Sequence, residues 1–185
     1  MREVFKSVAR LILGEYGIYR VYQDVGVPSA VTQSVELASE HEVRSSEDAF
    51  IADQAWYAGD GCFAYVLRDE SRVVGICFYW YGERYHSRRF WPLGPSEAKL
   101  VHIVTLPAFR GRGHASALIA GSAKSMRAQG WSALYARVWH THESSWRAFE
   151  RAGWRQVAIV VEVNPLRLSR PWRFYWRHPA RSNIV

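Results

Sequence analysis

Cysteine is nearly absent: Cys62 and Cys77 are the only two in 185 residues, and the single pair they could form is no disulfide framework for a chain of this size. Both fall in strand-like segments and read as buried thiols in a reducing cytoplasm. No uninterrupted apolar run of about 18 residues occurs, which excludes a membrane-spanning helix. The N-terminal apolar stretch has charges scattered through it, whereas a secretory leader would need a charged start and then a long apolar run. Acidic residues are in the minority: 24 Lys and Arg, most of them Arg, against 17 Asp and Glu give a net charge of +7. That balance favours anionic ligands, whether a phosphorylated small molecule or nucleic acid. The basic residues are dispersed rather than gathered on one helix, and no nucleic-acid-binding motif is present, so nucleic acid is not an expected partner. There is no repeat, low-complexity tract or linker, and the length fits one domain, residues 1–185, whose 49% hydrophobic content can fill a core.

What is present is an order of elements. Val4, Phe5, Val8, Leu11 and Ile12 recur at helical spacing over Glu3 to Leu13, with Gly14 as a stop, which predicts an amphipathic helix packed on the core. Tyr16 to Val25 alternates as a strand, and Ser45-Ser46-Glu47-Asp48 opens a helix reaching Trp56 or Tyr57. Cys62 to Arg68 and Val73 to Tyr81 flank a short polar connection and read as an antiparallel hairpin. Gly82 to Pro95, rich in Arg, aromatics, Gly and Pro, reads as an irregular, substrate-facing loop carrying Glu83, Arg84, His86, Arg88 and Arg89. Strand and helix then alternate: Ala98 to Thr105, Ala115 to Ala128, Trp131 to Trp139, Glu143 to Ala152, Arg155 to Val163, and a last strand over Arg170 to Arg177. The class is mixed α/β.

One junction carries chemistry. The strand ending at Thr105 runs through Pro107 and the turn Arg110-Gly111-Arg112-Gly113-His114-Ala115-Ser116 into a helix. Small residues at Gly111, Gly113 and Ala115 let backbone amides close on an anion, and the free N–H groups of the helix start add positive partial charge. Glycines at such a turn also serve a plain tight connection. A dinucleotide fingerprint would need a third glycine and an acidic residue about 20 positions on, where Gln129, Gly130 and Trp131 stand; a nucleoside-triphosphate loop would need Gly-Lys-Ser/Thr.

These residues resemble the GNAT superfamily of acyl-CoA-dependent N-acyltransferases. The resemblance rests on the pattern Arg110-x-x-Gly113-x-Ala115 after Pro107, and on a second block comprising the strand Ser132 to Val138, the helix Ser144 to Arg151 and the closing Ala152-Gly153-Trp154. It covers Cys62 to Trp176. It implies a central mixed, mostly antiparallel sheet with one parallel pair of strands that splay apart, flanked by helices. It further implies acetyl-CoA as co-substrate, its pantetheine arm against Ile103, Val104 and Thr105 and its pyrophosphate on Arg110, Gly111, Arg112, Gly113, His114, Ala115 and Ser116. The implied acceptor is an amine on a small molecule or peptide, attacked in a ternary complex, with Tyr79, Tyr81, Arg84, His86 and Trp91 in the region facing it. The resemblance is compatible with a homodimer and with a CoA-binding relative that has lost its chemistry.

An alkylammonium has a pKa near about 10.4, so the attacking nitrogen must lose a proton. On the strand before the turn, Lys99 and Val101 match the inward positions of the family. Alternation puts Glu97 on their face and His102 on the opposite one, so Glu97 is the candidate base. The tyrosine that commonly protonates the leaving thiolate is replaced here by Phe149. His142, at the start of the following helix, is the candidate substitute, with His140 near it. His140-x-His142 lacks further ligands at zinc spacing, and no metal is expected.

Overall fold

The structure is a computed structural model that describes residues 15–26, 33–86, 90–165 and 171–178. The helix expected over Glu3 to Leu13 lies outside the described residues, as do Arg88 and Arg89. The described residues form a mixed α/β fold around one eight-stranded sheet. Its strands are β1 (Glu15–Asp24), β2 (Val35–Ala38), β3 (Cys62–Asp69), β4 (Arg72–Trp80), β5 (Glu97–Thr105), β6 (Ala133–Trp139), β7 (Trp154–Asn164) and β8 (Trp172–Arg177). Their order is β2-β3-β4-β5-β6-β1-β7-β8, and every neighbouring pair is antiparallel except β5 with β6.

The hairpin expected around residues 69–72 is β3 and β4, turning through Glu70, whose φ of 54° is the left-handed value a tight hairpin turn demands. The helices are α1 (Glu40–Arg44), α2 (Ala49–Ala52), α3 (Gly82–His86), α4 (His114–Ala128) and α5 (Glu143–Arg151). Two expectations need correction. The single helix predicted from Ser45 to Tyr57 is instead α2, capped by the Asp48 carboxylate on the Phe50 N–H, followed by a 3-10 turn at Ala55–Tyr57. The preceding α1 carries a capping box between Ser39 and Glu42 that the sequence reading passed over. The stretch predicted as wholly irregular, Gly82 to Pro95, opens with α3.

Helices α4 and α5 pack on one face of the sheet, which we call the helix face. Its core includes Tyr65, Leu67, Cys77, Tyr79, Leu100, Leu118, Met126, Phe149 and Trp154. The opposite face is covered in two pieces. Val43, Ile51 and Ala55 of the α1–α2 region lie over Ile76 and Phe78, and Phe90 and Trp91 lie over Tyr19, Val21, Ala158 and Val160. Close approach fixes α4 against β2: a Cβ on Gly121 would stand 2.5 Å from Val35 Cγ2. No helix among the described residues is long and apolar enough to cross a membrane.

The parallel pair positions everything that follows. β5 pairs with β6 only from Glu97 opposite Ala133 to Leu100 opposite Ala136. Beyond that point β5 bonds only to β4, through Thr105 opposite Gly75, and β6 bonds only to β1, through Trp139 opposite Tyr19. The strands have parted, leaving a gap floored by neither. At the same point β5 carries a bulge: Leu100 pairs with Tyr79 and His102 with Phe78, so Val101 is the extra residue.

Candidate active site

Thr105 leads through a 3-10 turn at Pro107–Phe109 to Arg110, whose Nε donates to the Thr105 carbonyl at 3.3 Å and ties the turn to the strand end. Gly111 and Gly113 have φ of 79° and 84°, the left-handed region open to glycine, and a Cβ at either would project into open space. That space is a cleft of about 820 Å³. Gly113 is the N-cap of α4 and offers no side chain to the first helical N–H groups, so they remain available to an anion at the mouth of the turn. His114 is only 6% exposed, and its Nε2 is buried without a hydrogen-bond partner while Nδ1 faces Gln33 Oε1 at 3.4 Å. A side-chain-free cradle beside a helix start suits a diphosphate.

Of the residues expected at the cofactor, Ile103, Val104, Thr105, Arg110, Gly111, Gly113, His114, Ala115 and Ser116 line this one cleft. Arg112 does not; its guanidinium lies over the Phe109 ring, 5.3 Å from the centroid. The opposite wall comes from α5 and includes Ser144, Arg147, Ala148 and Arg151. The sequence reading assigned these no role, although spacings of three and four residues put them on one helical face. Phe149 also lines the cleft. It is buried, 5.7 Å from the Tyr22 ring and 5.2 Å from Trp154.

His142 caps α5 through its backbone alone, is exposed and is not part of the cleft lining. His140 sits just before it, with Nδ1 3.2 Å from the Ile18 carbonyl. Among the described residues no group of His, Cys, Asp or Glu is placed to hold a metal ion.

Glu97 stands at the closed end of the parallel pair, opposite Ala133, and its Oε2 accepts the Gly94 N–H at 2.7 Å. It braces the turn leading into β5, three residues short of the point where the strands part. His102 stands at that point. Strand alternation alone predicts it on the face opposite Lys99, but the Val101 bulge reverses the alternation. Lys99 and His102 pair with Trp80 and Phe78, which share a face of β4. His102 lies flat against Tyr57, ring centroids 4.1 Å apart and planes 5° from parallel. Its Nε2 is 2.9 Å from Gln54 Oε1. An amide oxygen only accepts, so the ring proton is on Nε2 and Nδ1 keeps its lone pair. Burial lowers the imidazole pKa from its ordinary value by penalising the charged form.

The residues expected around the acceptor are scattered. Tyr79 is fully buried on the helix face, its hydroxyl 2.9 Å from Ser122 Oγ. Tyr81 packs beside Phe63 and Trp131. Arg84 donates to the carbonyls of Asp60 and Trp56 and lies over Trp80. Trp91 is buried. Together with His86 it borders a second cavity of about 840 Å³ beside Tyr175 and Arg177. Tyr79 is core because β4 lies centrally in the sheet, between β3 and β5, with both of its faces covered.

The sheet thus has one parting parallel pair, with a glycine-rich turn and a helix start at the end of the parting strand. The sequence model of the acetyltransferase (GNAT) family matches residues 31–154, and the chain belongs to that family. Two solved structures share the fold. A GNAT-family protein from Novosphingobium aromaticivorans is 20% identical with a TM-score of 0.58, over 81% of this chain and 64% of its own. A GNAT-family acetyltransferase from Colwellia psychrerythraea is 10% identical with a TM-score of 0.59, over 86% and 60%. This chain therefore spans less than two thirds of either. No curated protein matches the chain.

Proposed function

We propose that the protein is an N-acetyltransferase that moves acetyl from acetyl-CoA to a primary amine by direct attack in a ternary complex. The observation that carries this reading is the continuity of the cleft. One cavity runs from the turn at Arg110 and Gly113 along Ile103 to Thr105, where β5 has parted from β6. A diphosphate on the turn would lay its pantetheine arm along the unpaired β5 backbone and bring the thioester to the gap.

The amine would enter from the face opposite α4 and α5, where His102 sits. The nitrogen attacks the thioester carbonyl, the C–S bond breaks, and one N–H proton is lost to solvent or base. His102 is the residue suited to take it, because its free Nδ1 is neutral at pH 7 and Gln54 holds the ring in place. This replaces Glu97, whose carboxylate is engaged with Gly94. The departing thiolate has no tyrosine beside it at position 149. A thiol pKa near about 8.5 makes it a tolerable leaving group without one.

Phe149 also favours a second reading, a CoA-binding relative without catalysis. Calorimetry with acetyl-CoA and a thiol-release assay over a panel of amines separate the two. Binding with turnover supports the transferase; binding with no thiol release across the panel supports the second reading. No binding at millimolar acetyl-CoA overturns both.

A further inference from the structure

Arg137 is the first β6 residue beyond the last β5 pair, Leu100 opposite Ala136. Continuing that register would set it across the gap from Val101 and next to His102. It projects to the face of Tyr19, its guanidinium carbon 4.6 Å from the Tyr19 ring centroid and 4.5 Å from that of Phe90. The side chain is exposed, and among the described residues no carboxylate forms an ion pair with it. Two aromatic rings thus hold the guanidinium at the mouth of the gap without consuming its charge. Five N–H donors in a planar fork fit a carboxylate or phosphate.

The surroundings add to the argument. The Lys99 ammonium lies 4.9 Å from the Phe90 ring centroid, and Arg173 lies 5.5 Å from it. Around this patch the carboxylates are committed, Glu162 to Arg173 at 2.6 Å and Glu97 to Gly94. An acceptor amine reaches the protein as a cation. The Arg137 guanidinium, with no carboxylate paired to it among the described residues, opposes the approach of that cation. A plain alkylammonium is repelled from this entrance, whereas an amine that also carries an anion is drawn to it. The same positive field favours the neutral, nucleophilic form of the amine once bound.

We propose that Arg137 docks an oxyanion, carboxylate or phosphate, on the acceptor, so that the substrate is an amine bearing an acidic group a few bonds from its nitrogen. The inference rests on the transferase reading for its use, but binding tests it separately. CoA-saturated protein is titrated with 3-aminopropanoate, 4-aminobutanoate and O-phosphoethanolamine, and with propylamine and ethanolamine as uncharged-tail counterparts. The same amines are assayed with acetyl-CoA for thiol release. The anionic amines are expected to bind at least about tenfold more tightly than their counterparts, as one charge-assisted pair allows. In Arg137→Gln that gap should close, and in Arg137→Lys part of it should persist, with unchanged acetyl-CoA affinity in both showing that the fold is intact. The relative rank of carboxylates and phosphate identifies the acid group. Equal binding of both amine classes, no binding of either, or a gap that survives in Arg137→Gln overturns the proposal. Selective binding without thiol release leaves Arg137 as an anion site and overturns the transferase reading instead.

Discussion

His102 and Tyr57 lie face to face, 4.1 Å between ring centroids, where β5 parts from β6. The stacking removes water from the imidazole and disfavours its protonated form, so the folded-state pKa lies below the ordinary value of 6.5. The unfolded chain then binds more protons than the folded one between the two pKa values. Stability falls as pH drops through that window and is unaffected above it. The acid limb of kcat/KM is expected below pH 6.5, and His102→Asn should lower kcat about a hundredfold and abolish that limb. A pH–rate profile, with NMR titration of the ring, checks this. An unchanged limb in the variant would remove His102 from proton transfer.

Glu97 is expected to matter little to chemistry. Glu97→Gln keeps an acceptor for the Gly94 N–H and should change kcat only a few-fold, far less than His102→Asn. A loss comparable to that of the histidine variant would restore the carboxylate as the base.

Phe149 lines the cleft, and in the proposed reaction a hydroxyl at its place would meet the leaving sulfur. The nearest stacked tyrosine, Tyr22, is of no help there: it is fully buried and donates its O–H to Glu150 at 3.0 Å. Phe149→Tyr is expected to raise kcat by about tenfold or more at pH 7, with the gain shrinking above about pH 8.5 as the thiolate leaves unaided. Steady-state kinetics at both pH values test this, and a flat response would mean that thiolate departure does not limit the rate.

Gly113→Val should place a branched side chain in the open cradle at a φ of 84°. The backbone strain costs about 1–3 kcal/mol of stability, while acetyl-CoA affinity should fall by at least about a hundredfold, as a lost set of charge-assisted N–H contacts implies. Calorimetry and urea unfolding report the two effects separately. Retained affinity in a folded variant would refute the phosphate cradle.

Ser122 joins α4 to the sheet: its Oγ donates to the Leu118 carbonyl at 2.6 Å and meets the Tyr79 hydroxyl at 2.9 Å, both groups buried. Ser122→Ala strands the Tyr79 hydroxyl and should cost about 1–3 kcal/mol in a urea melt. Tyr79→Phe in the same background should recover part of that loss.

The sequence alone determined whatever is local. Hydrophobic period and turn chemistry gave β3 with β4, the run from β5 through α4 to β6, and the glycine turn between β5 and α4, because glycine, proline and a helix start act within a few residues of one another. It did not yield α1, capped by Ser39, or the broken helix after Ser45, capped by Asp48, because these short-range cap signals lost out to a longer apolar pattern. Only the tertiary structure decided which face of the sheet His102 occupies. The bulge at Val101 is set by pairing with β4 and turns His102 toward Lys99, and alternation along one strand contains no trace of it. The depth of Tyr79, the seat of Arg137 against Tyr19 and Phe90, and the gap between β5 and β6 likewise depend on residues far apart in the chain. The cofactor end proposed for the site is written in one continuous segment, whereas its proposed acceptor end is assembled by the sheet.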